Sequence, residues 1–487
     1  MADLAEQRPS RVRYGVLAFA ASLSMLTYLD RVCIAAAVPD LVREFGLRGA
    51  GDLNWVLTAF VLAYALMEVP SGWLGDVFGP RAVLIRIVLW WSIFTALTGL
   101  AGLYVGPLFC GLTFLVAVRF LFGMGEAGAY PNITRALHNW FPNTQRGLAQ
   151  GTVWMSGRLM GGLTPLVWAV LVQGVYWPSS WLDTASSSHL VFHPLLQWRQ
   201  TFWLFGLLGV AWCGLFALWF RNRPEEKAAV NEGELALIRT GRRNEAEAMH
   251  SHVPWLRILA SRNLWLVGLM YACQSYVWYF NSTYLPAYLQ GYYRIPAKSL
   301  LGAVYAGGPL WMGAAGCLVG GFLTDWFIRR TGNRRWGRRL FGVLGHSSAV
   351  LCFLACPYAP NAFWFFLAIS LSAFAADLTM GSSWATCQDI GRRYAAIVAG
   401  FMNMLGNVGG ALGAWLSGWL LQRSLNTYVA GLNLAGAELT EAQKVAGQQA
   451  GYELNFLIFA AVYAVGVLCW LQIDATRPVV PEEESGG

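Results

Sequence analysis

The sequence has very little charge for its length. Only 12% of its 487 residues are Asp, Glu, Lys or Arg, whereas a soluble globular chain usually carries about 25%. Lysine is especially scarce and occurs only at residues 227, 298 and 444. Hydrophobic residues make up 56% of the chain. A chain of this composition cannot cover a water-facing surface with polar groups, which excludes an ordinary soluble globular protein.

Residues that metal sites, disulfides and active sites use are present, but without the spacings that such sites require. The nine cysteines all fall inside apolar runs and none has CxxC spacing, so we expect buried thiols. The six histidines form no ligand pattern, and neither a GxxxxGK(S/T) phosphate loop nor a Ser/His/Asp arrangement occurs. The sequence therefore predicts no enzyme activity, no metal and no cofactor, and it disfavours an ATP-driven pump.

Long apolar runs dominate the sequence instead. A run of roughly 20 apolar residues can cross a hydrocarbon core of about 30 Å as a helix. We predict an all-α polytopic membrane protein with twelve transmembrane helices in two six-helix bundles. The predicted spans are 14–37, 54–75, 81–102, 107–130, 147–172 and 200–220, then 262–289, 300–325, 340–358, 361–387, 394–421 and 453–473. The first run is too long for a signal peptide, so we expect it to be the first span.

Arginine in the short loops predicts the orientation. Arginine-rich loops alternate with charge-poor ones such as 102–108, and the arginine-rich loops share one side if both termini are cytoplasmic. We therefore predict a cell inner-membrane protein in which loops 173–199 and 422–452, long enough for small helices, face outward. The net charge of +8 then reflects orientation rather than nucleic-acid binding. The predicted domains are a first bundle 1–220, a charged cytoplasmic linker 221–260, a second bundle 261–475 and a cytoplasmic tail 476–487.

Two loops at equivalent places in the two halves share a motif. GWLGDVFGPR after span two and GGFLTDWFIRRTGNRR after span eight each place a glycine, then an aspartate, then arginine. Parallel halves of this kind are typical of the major facilitator architecture. Both aspartates lie at helix ends and can pair with Arg81, Arg329 or nearby helix termini. Val77 stands where a basic residue often follows, which weakens the expected charge network. The expected conformational motif comprises Gly72, Asp76, Arg81, Gly321 and Asp325.

Glycine is abundant, with 53 residues, and recurs at small-xxx-small spacing inside the spans. This spacing lets helices pack closely. Static packing and sliding contacts between two rocking halves are both open interpretations. The pairs are Gly157 and Gly161, Gly316 and Gly320, and Gly406 and Gly410.

The most informative residues are charges inside or at the edges of the apolar runs. They are Asp30, Arg31, Arg119, Glu126, Arg158, Asp377 and Asp389. A charge at mid-bilayer costs at least about 2.5–3.5 kcal/mol on insertion scales, so such residues face a cavity or a partner. Arg119 and Glu126 are seven residues apart and lie on nearly the same helix face. We expect them to meet groups on other helices, with Asp30 and Arg31 as candidates.

These charges suggest a coupling mechanism. Burial favours the protonated form of a carboxylate, whereas a nearby arginine favours the ionised form. A carboxylate whose arginine partner is recruited by an anionic substrate would therefore gain a proton as the substrate binds. A buried ion-pair cluster that only fixes packing is the alternative interpretation.

Several segments resemble the anion:cation symporter family of the major facilitators. They are TYLDR, AFVLAYALMEVPSGWLGDVFGPR, RFLFGMGEAGAYPNITRALHNWFP followed by QRGLAQG, RNRPEEKAAVNEGE and the run ending STYLPAYL. The similarity extends from about residue 13 to residue 473. It implies transport of sugar acids (hexuronates, galactonate, glucarate), aromatic acids such as phthalate, or related carboxylates, mostly with protons.

The resemblance also implies roles for individual residues. Asp30 and Glu126 match the family's protonatable pair, and Arg119 matches the arginine that modulates Glu126. Arg31 matches the residue expected to hold the substrate carboxylate, which a guanidinium fork suits. Further expected substrate contacts are Tyr28, Tyr64, Ser382, Ser383, Trp384, Asn403 and Asn407. The tyrosine-rich span seven adds two further candidates for the cavity wall, Gln274 and Tyr276.

Arg158 departs from the family's pattern, in which sugar-acid members tend to have glutamine or a small residue at this position. If Arg158 faces the cavity, the site has two cationic anchors and suits a dianionic substrate. Alternatively, Arg158 neutralises Glu126 or Asp30.

We therefore predict proton-coupled symport of an organic anion, a sugar acid or another carboxylate, by alternating access. The expected partners are the anion, protons and membrane lipid, without nucleic acid, and we expect a monomer. A metabolite or drug exporter of the same fold and a sodium-coupled anion transporter are the alternatives. A non-transporting membrane sensor has less support, because the tails are short and the linker is modest.

Overall fold

The computed structural model describes residues 8–47, 50–177, 189–240, 253–296, 299–432 and 439–481, which form eighteen α-helices and two short β-hairpins. The first half contains α1 (Val12–Ala36), α2 (Val38–Glu44), α3 (Asn54–Phe78), α4 (Pro80–Thr98), β1 (Tyr104–Val105), β2 (Leu108–Phe109), α5 (Leu112–Glu126), α6 (Ala129–Trp140), α7 (Arg146–Trp168), β3 (Val175–Trp177), β4 (His189–Phe192) and α8 (Trp198–Trp219). The short helices α9 (Glu232–Arg239) and α10 (Trp255–Leu259) follow. The second half contains α11 (Arg262–Thr283), α12 (Leu285–Tyr292), α13 (Leu300–Thr331), α14 (Arg334–Ala355), α15 (Ala362–Asp377), α16 (Met380–Gly391), α17 (Ala395–Gly431) and α18 (Glu441–Gln472).

The long helices have the properties of membrane helices. Ten stretches of the described residues are long and apolar enough to cross a membrane, and one of them, 362–431, contains the three helices α15, α16 and α17. Large apolar side chains point outward, such as Leu66 in α3 and Leu218 in α8, which are 60% and 79% exposed. Apolar outer faces suit lipid, where a helical backbone satisfies its own hydrogen bonds. The chain is thus a multi-pass membrane protein.

The structure corrects two of the predicted loops. Much of 422–452 is helical, because α17 continues to Gly431 and Thr440 forms a capping box that starts α18. In 173–199 the described residues form an antiparallel hairpin of β3 and β4 rather than small helices. The sequences VYW and HLVF of these strands are rich in aromatic and β-branched residues, which favour strands.

The first described part of the predicted linker, 221–240, is anchored to the first half, while residues 241–252 lie outside the described residues. Glu234 of α9 is completely buried and accepts hydrogen bonds of 3.1 Å from the backbone N–H groups of Val12 and Arg13. Its carboxylate also pairs with the Arg13 guanidinium at 2.9 Å. A carboxylate at a helix N-terminus is favoured by the helix dipole, so α9 caps the start of α1.

The fourth long helix of each half is interrupted at a carboxylate. α5 ends at Glu126 and α6 begins at Ala129, while α15 ends at Asp377 and α16 begins at Met380. In both halves the second piece has 12 residues. The first interruption depends on Gly128, whose φ of +86° is strained for any residue with a Cβ. The interruptions place two acidic residues at matching helix ends inside the molecule.

At one end of the molecule, which we call the closed end, the two halves touch backbone to backbone. A Cβ added to Gly321 of α13 would lie 2.5 Å from the carbonyl oxygen of Gly147 at the start of α7. A Cβ added to Gly72 of α3 would lie 2.5 Å from the carbonyl oxygen of Ala396 at the start of α17. Only residues without a side chain allow backbones to approach so closely.

Replacing Gly321 with alanine is expected to lower the population of the closed arrangement about 10-fold, because overpacking against a backbone costs about 1–3 kcal/mol. Electron–electron double resonance between spin labels at the exposed closed-end residues Phe78 and Arg330 would reveal a longer-distance population. The matched control is Gly214→Ala in α8, where an added Cβ meets nothing within 4 Å. The same distance distribution in both variants would contradict the prediction.

Candidate functional site

A cavity of about 90 Å³ lies between the two halves, with walls from α1 and α7 of the first half and from α11, α14, α15, α16, α17 and α18 of the second. Among the described residues that line it, the charged ones are Arg31, Arg158 and Asp377. Its aromatic wall residues are Tyr28, Trp154, Tyr271, Trp278, Tyr279, Phe353 and Tyr463. A concave site with apolar faces and a few polar anchors suits a small molecule, and two arginines favour an anion.

Arg31 of α1 is more open to the cavity than Arg158. Its side chain is 25% exposed, against 4% for Arg158. Its Nε donates to Glu126 Oε1 at 2.5 Å, and its guanidinium lies 4.4 Å from the ring centroid of Tyr64. Its Nη2 has no hydrogen-bond partner among the described residues. An arginine that is paired on one edge and open on another can bind an incoming anion.

Asp30 and Arg119 lie next to this pair, away from the cavity wall. They are 4% and 3% exposed, and each interacts electrostatically with the other and with Glu126. The Arg119 guanidinium lies 4.9 Å from the Phe60 ring centroid and 4.4 Å from that of Phe122. The structure thus brings together the four charges that the sequence placed on two different helices.

A fifth charge, Glu68 of α3, belongs to the same cluster and was missed from the sequence. Glu68 is completely buried and accepts a hydrogen bond from Asn403 Nδ2 of α17, in the other half. A signal was available, because Glu68 is the one acidic residue in the apolar run AFVLAYALMEVP. It also lies one helical turn after Tyr64, so the two side chains share a face.

The acidic residues of this cluster share an unusual feature. Asp30, Glu68 and Glu126 each have one buried carboxylate oxygen with no hydrogen-bond partner among the described residues. Buried polar atoms are normally satisfied, so each of these oxygens could accept a further hydrogen bond. A protonated carboxyl differs from an ionised one by a single O–H donor. The cluster therefore places three buried carboxyl groups beside an arginine that is partly exposed to the cavity.

Arg158 lines the cavity, but its partner is neither Glu126 nor Asp30. Its Nε and Nη2 donate to the two carboxylate oxygens of Asp377 at 2.8 and 3.1 Å. Its Nη1 donates to the Tyr28 hydroxyl at 2.7 Å. The alternative in which Arg158 neutralises one of the first-half acids is therefore wrong, because Arg158 pairs with an aspartate of the second half instead.

The glycines of two of the three small-xxx-small pairs make room for cavity tyrosines, whereas Gly316 and Gly320 lie against the backbone at Phe374 and Leu378. A Cβ added to Gly157 or Gly161 of α7 would lie 2.7 or 2.8 Å from the ring of Tyr28. A Cβ added to Gly406 of α17 would lie 2.5 Å from the ring of Tyr271. At these positions the absence of a side chain on glycine leaves the space that the tyrosine rings of the cavity wall occupy.

The second-half candidates divide into cavity residues and packing residues. Gln274, Asn403 and Asn407 line the cavity. Tyr276 does not, because it lies on the opposite side of α11 and its ring packs against Phe459 of α18.

Ser382, Ser383 and Trp384 also lie away from the cavity and are completely buried. The Ser382 hydroxyl bonds to Thr324 of α13 at 2.8 Å, and the Ser383 hydroxyl donates to a backbone carbonyl of its own chain segment. The Trp384 ring packs 5.1 Å from that of Trp154. The physical reason is that α16 restarts after the interruption with this face turned against its neighbours.

The predicted aspartates of the loop motif each cap a helix of the opposite half at the closed end. Asp76 accepts hydrogen bonds of 3.2 and 2.8 Å from consecutive backbone amides at the start of α17. Asp325 accepts hydrogen bonds of 3.0 and 2.6 Å from consecutive amides at the start of α7. The positive end of the helix dipole favours a carboxylate there. The two contacts are counterparts within the internal repeat.

The arginine partners of these aspartates differ from those predicted. Asp76 pairs with Arg135 at 3.5 Å, and Asp325 pairs with Arg338 at 3.3 Å. Arg338 also pairs with Asp389 at 3.1 Å, so Asp389 belongs to the closed end rather than to the cavity. The residues first expected in these pairs donate to backbone carbonyl oxygens instead, and they are Arg81 and Arg329.

Several known proteins are similar to this chain in sequence or in fold. The family model described as Major Facilitator Superfamily matches residues 20–414. The probable sulfoacetate transporter SauU of Cupriavidus necator is 30% identical, over 98% of this chain and 97% of its own. The probable galactarate/D-glucarate transporter GudP of Escherichia coli is 28% identical, over 83% and 86%. The proton:xylose symporter XylE has the same fold, with a TM-score of 0.67 at 14% identity over 96% of both chains.

Proposed function

Because the chain belongs to the Major Facilitator Superfamily, we propose that it is a proton-coupled symporter of a small organic anion that works by alternating access. Relatives that match it over most of their length are named transporters, and the chain is a membrane transporter rather than an enzyme. The coupling ion and the direction of transport form part of the proposal.

The observation that carries the proposal is the contact between Arg31 and Glu126. Arg31 is partly exposed to the cavity, and among the described residues Glu126 is the carboxylate that holds it, through Nε. An anion that binds Arg31 weakens the hold of the guanidinium on Glu126, which then gains a proton more readily. By linkage, protonation of Glu126 strengthens anion binding by the same factor. Anion and proton therefore bind together and cross together.

The transport cycle needs two states, and the closed end supplies one of them. We place twelve membrane crossings in two bundles, 1–220 and 261–475, joined by the linker 221–260, with both termini in the cytoplasm of an inner-membrane monomer. Arginine gathers at the closed end, for example Arg329 and Arg330 at the end of α13, which supports a cytoplasmic location. The state described is then the one closed to the cytoplasm.

The substrate class is supported by the two arginines and by the relatives. Sulfoacetate carries a sulfonate and a carboxylate, and galactarate and glucarate carry two carboxylates each, so the named substrates of both relatives have two acidic groups. The cavity presents Arg31 and Arg158 on its wall. We therefore propose a compact organic anion, with diacids as the first compounds to test.

Uptake into proteoliposomes tests this function. The full chain would be reconstituted and offered sulfoacetate, glucarate, galactonate, a hexuronate and phthalate, with and without an inward proton gradient. We expect accumulation of at least one anion that depends on the gradient and disappears when a protonophore collapses it. Liposomes without protein and an inward sodium gradient at equal pH are the controls.

Each alternative predicts a different outcome of the same assay. Accumulation driven by sodium alone would replace protons by sodium as the coupling ion. Uptake of organic cations without uptake of anions would favour an exporter of drugs or metabolites. Anion uptake that ignores both gradients would contradict symport.

A further inference from the structure

The cavity wall contains an ion pair that the proposed coupling of Arg31 and Glu126 does not use. Arg158 of α7 and Asp377 of α15 join the two halves through two hydrogen bonds, and their side chains are 4% and 3% exposed. The guanidinium also lies 3.5 Å from the ring centroid of Trp278. With its Nη1 on the Tyr28 hydroxyl, every nitrogen of Arg158 has a partner.

The two cavity arginines therefore differ in their exposure and in their hydrogen-bond partners. The side chain of Arg31 is partly exposed, and its buried Nη2 has no hydrogen-bond partner among the described residues, so this guanidinium can accept an anion at once. Arg158 already holds a carboxylate in the two-pronged geometry that a guanidinium offers to an anionic ligand. The second cation of the site is thus occupied by an acidic group of the protein itself.

The internal repeat gives Asp377 a counterpart. Asp377 is the last residue of α15, as Glu126 is the last residue of α5, and in both halves a 12-residue helix resumes after two residues. Glu126 pairs with Arg31 of another helix, and Asp377 pairs with Arg158 of another helix. Asp377 thus occupies the second-half position equivalent to the acid of the first-half pair.

We propose that Asp377 stands in for the second acidic group of a dianionic substrate, which must displace it to bind Arg158. This inference rests on the proposed function and adds the residue that selects the substrate. One acidic group of the substrate binds Arg31, and the other takes the place of the Asp377 carboxylate on Arg158. A monoanion binds Arg31 and leaves the pair of Arg158 and Asp377 intact.

In the part of the chain that the structure describes, Arg158 is the cation that pairs with Asp377, and no second one is placed to receive the displaced carboxylate. The titratable groups that interact with Asp377 are Arg158 from α7 and four neutral side chains from α1, α11, α13 and α18. The four neutral side chains are Tyr28, Tyr271, Cys317 and Tyr463. An ionised carboxylate left unpaired in a buried site is strongly disfavoured, so it takes up one proton.

The exchange is balanced. One acidic group leaves Arg158, another arrives, and one proton joins the carboxylate of Asp377. Binding of a dianion therefore takes up one proton more than binding of a monoanion. Because a lower pH supplies that proton, the preference for the dianion over the monoanion grows as the pH falls, by up to about tenfold per pH unit.

Isothermal titration calorimetry on the purified full chain tests this inference. The probes are sulfoacetate as the dianion and 2-hydroxyethanesulfonate as the monoanion, because both keep their charges between about pH 6 and about pH 8. In the unmodified protein we expect the ratio of the two Kd values to change with pH. In Asp377→Asn we expect tighter sulfoacetate binding and a ratio that no longer depends on pH.

The conservative variant and a second measurement separate this role from a purely structural one. Asp377→Glu retains an acid that can pair with Arg158 and should keep the pH-dependent ratio. In the unmodified protein, titrations in two buffers of different ionisation enthalpy should show one more proton taken up with sulfoacetate than with 2-hydroxyethanesulfonate.

Equal proton uptake for the two probes would overturn the inference, whether or not Asp377→Asn folds. A ratio that keeps its pH dependence in Asp377→Asn would also overturn it. If both anions bind but Asp377 has no influence on their ratio, this inference fails and the proposed function stands. If neither these probes nor any anion of the uptake panel binds, the proposed function fails as well.

Discussion

Replacing Arg31 with glutamine is expected to weaken binding of the transported anion by about 100-fold or more. Glutamine keeps much of the length and the hydrogen-bonding capacity of the side chain but has no charge. The open edge of this guanidinium is where an anion can bind without first displacing another group. Calorimetry of the anion with the purified variant measures the loss directly.

Two further variants show whether the charge or the shape of Arg31 matters. Arg31→Lys keeps the charge but not the fork, so we expect binding between that of the unmodified protein and that of the glutamine variant. Arg43→Gln removes an arginine whose side chain is 81% exposed and should leave the Kd unchanged. A Kd for Arg31→Gln within a few-fold of the unmodified value would remove Arg31 from the anion site.

Replacing Glu126 with glutamine is expected to abolish proton-driven accumulation while preserving exchange of anion for anion. Glutamine has nearly the shape of glutamate and can still contact Arg31, but it cannot gain or lose a proton at physiological pH. An inward gradient of about one pH unit drives about a tenfold accumulation for each coupled proton, and the variant loses the share that Glu126 carries. Counterflow and gradient-driven uptake would be measured in the same proteoliposomes.

The control for this second experiment is another glutamate of a long helix. Glu453 of α18 is exposed and bonds to Gln449 one turn before it, so Glu453→Gln should keep both exchange and accumulation. Retained accumulation in Glu126→Gln would exclude Glu126 as the coupling residue. The neighbouring acids Asp30 and Glu68, each with an unpartnered oxygen, would then be the next candidates.

Much of the architecture could be predicted because membrane helices have a distinct sequence pattern. A run of about 20 apolar residues has few other uses, and each predicted span overlaps one long helix or two consecutive ones. The first-half charges were equally visible, since a charge within such a run is costly and therefore rare. Asp30, Arg31, Arg119 and Glu126 meet because long arginine side chains extend between α1 and α5, as Arg31 does when it donates to Glu126.

What could not be predicted depends on contacts between distant parts of the chain. Arg158 and Asp377 are 219 residues apart in sequence, and their spacing carries no sign that α7 and α15 meet. The rotation of a helix about its axis, which decides which of its residues face the cavity, could not be predicted from the sequence either. Tyr276 lies in a span that is polar and aromatic on several faces, so periodicity could not assign its side. Trp384 follows an interruption that resets the direction of its helix.

The exchanged caps at the closed end make each half structurally incomplete. The carboxylate of Asp76 belongs to the first half but satisfies amides of α17, and the carboxylate of Asp325 belongs to the second half but satisfies amides of α7. Each half thus provides the carboxylate that caps a helix of the other half, much as two subunits exchange elements in a domain-swapped dimer. A gene cut within the linker would yield two fragments that each lack one cap and regain it only by reassociating.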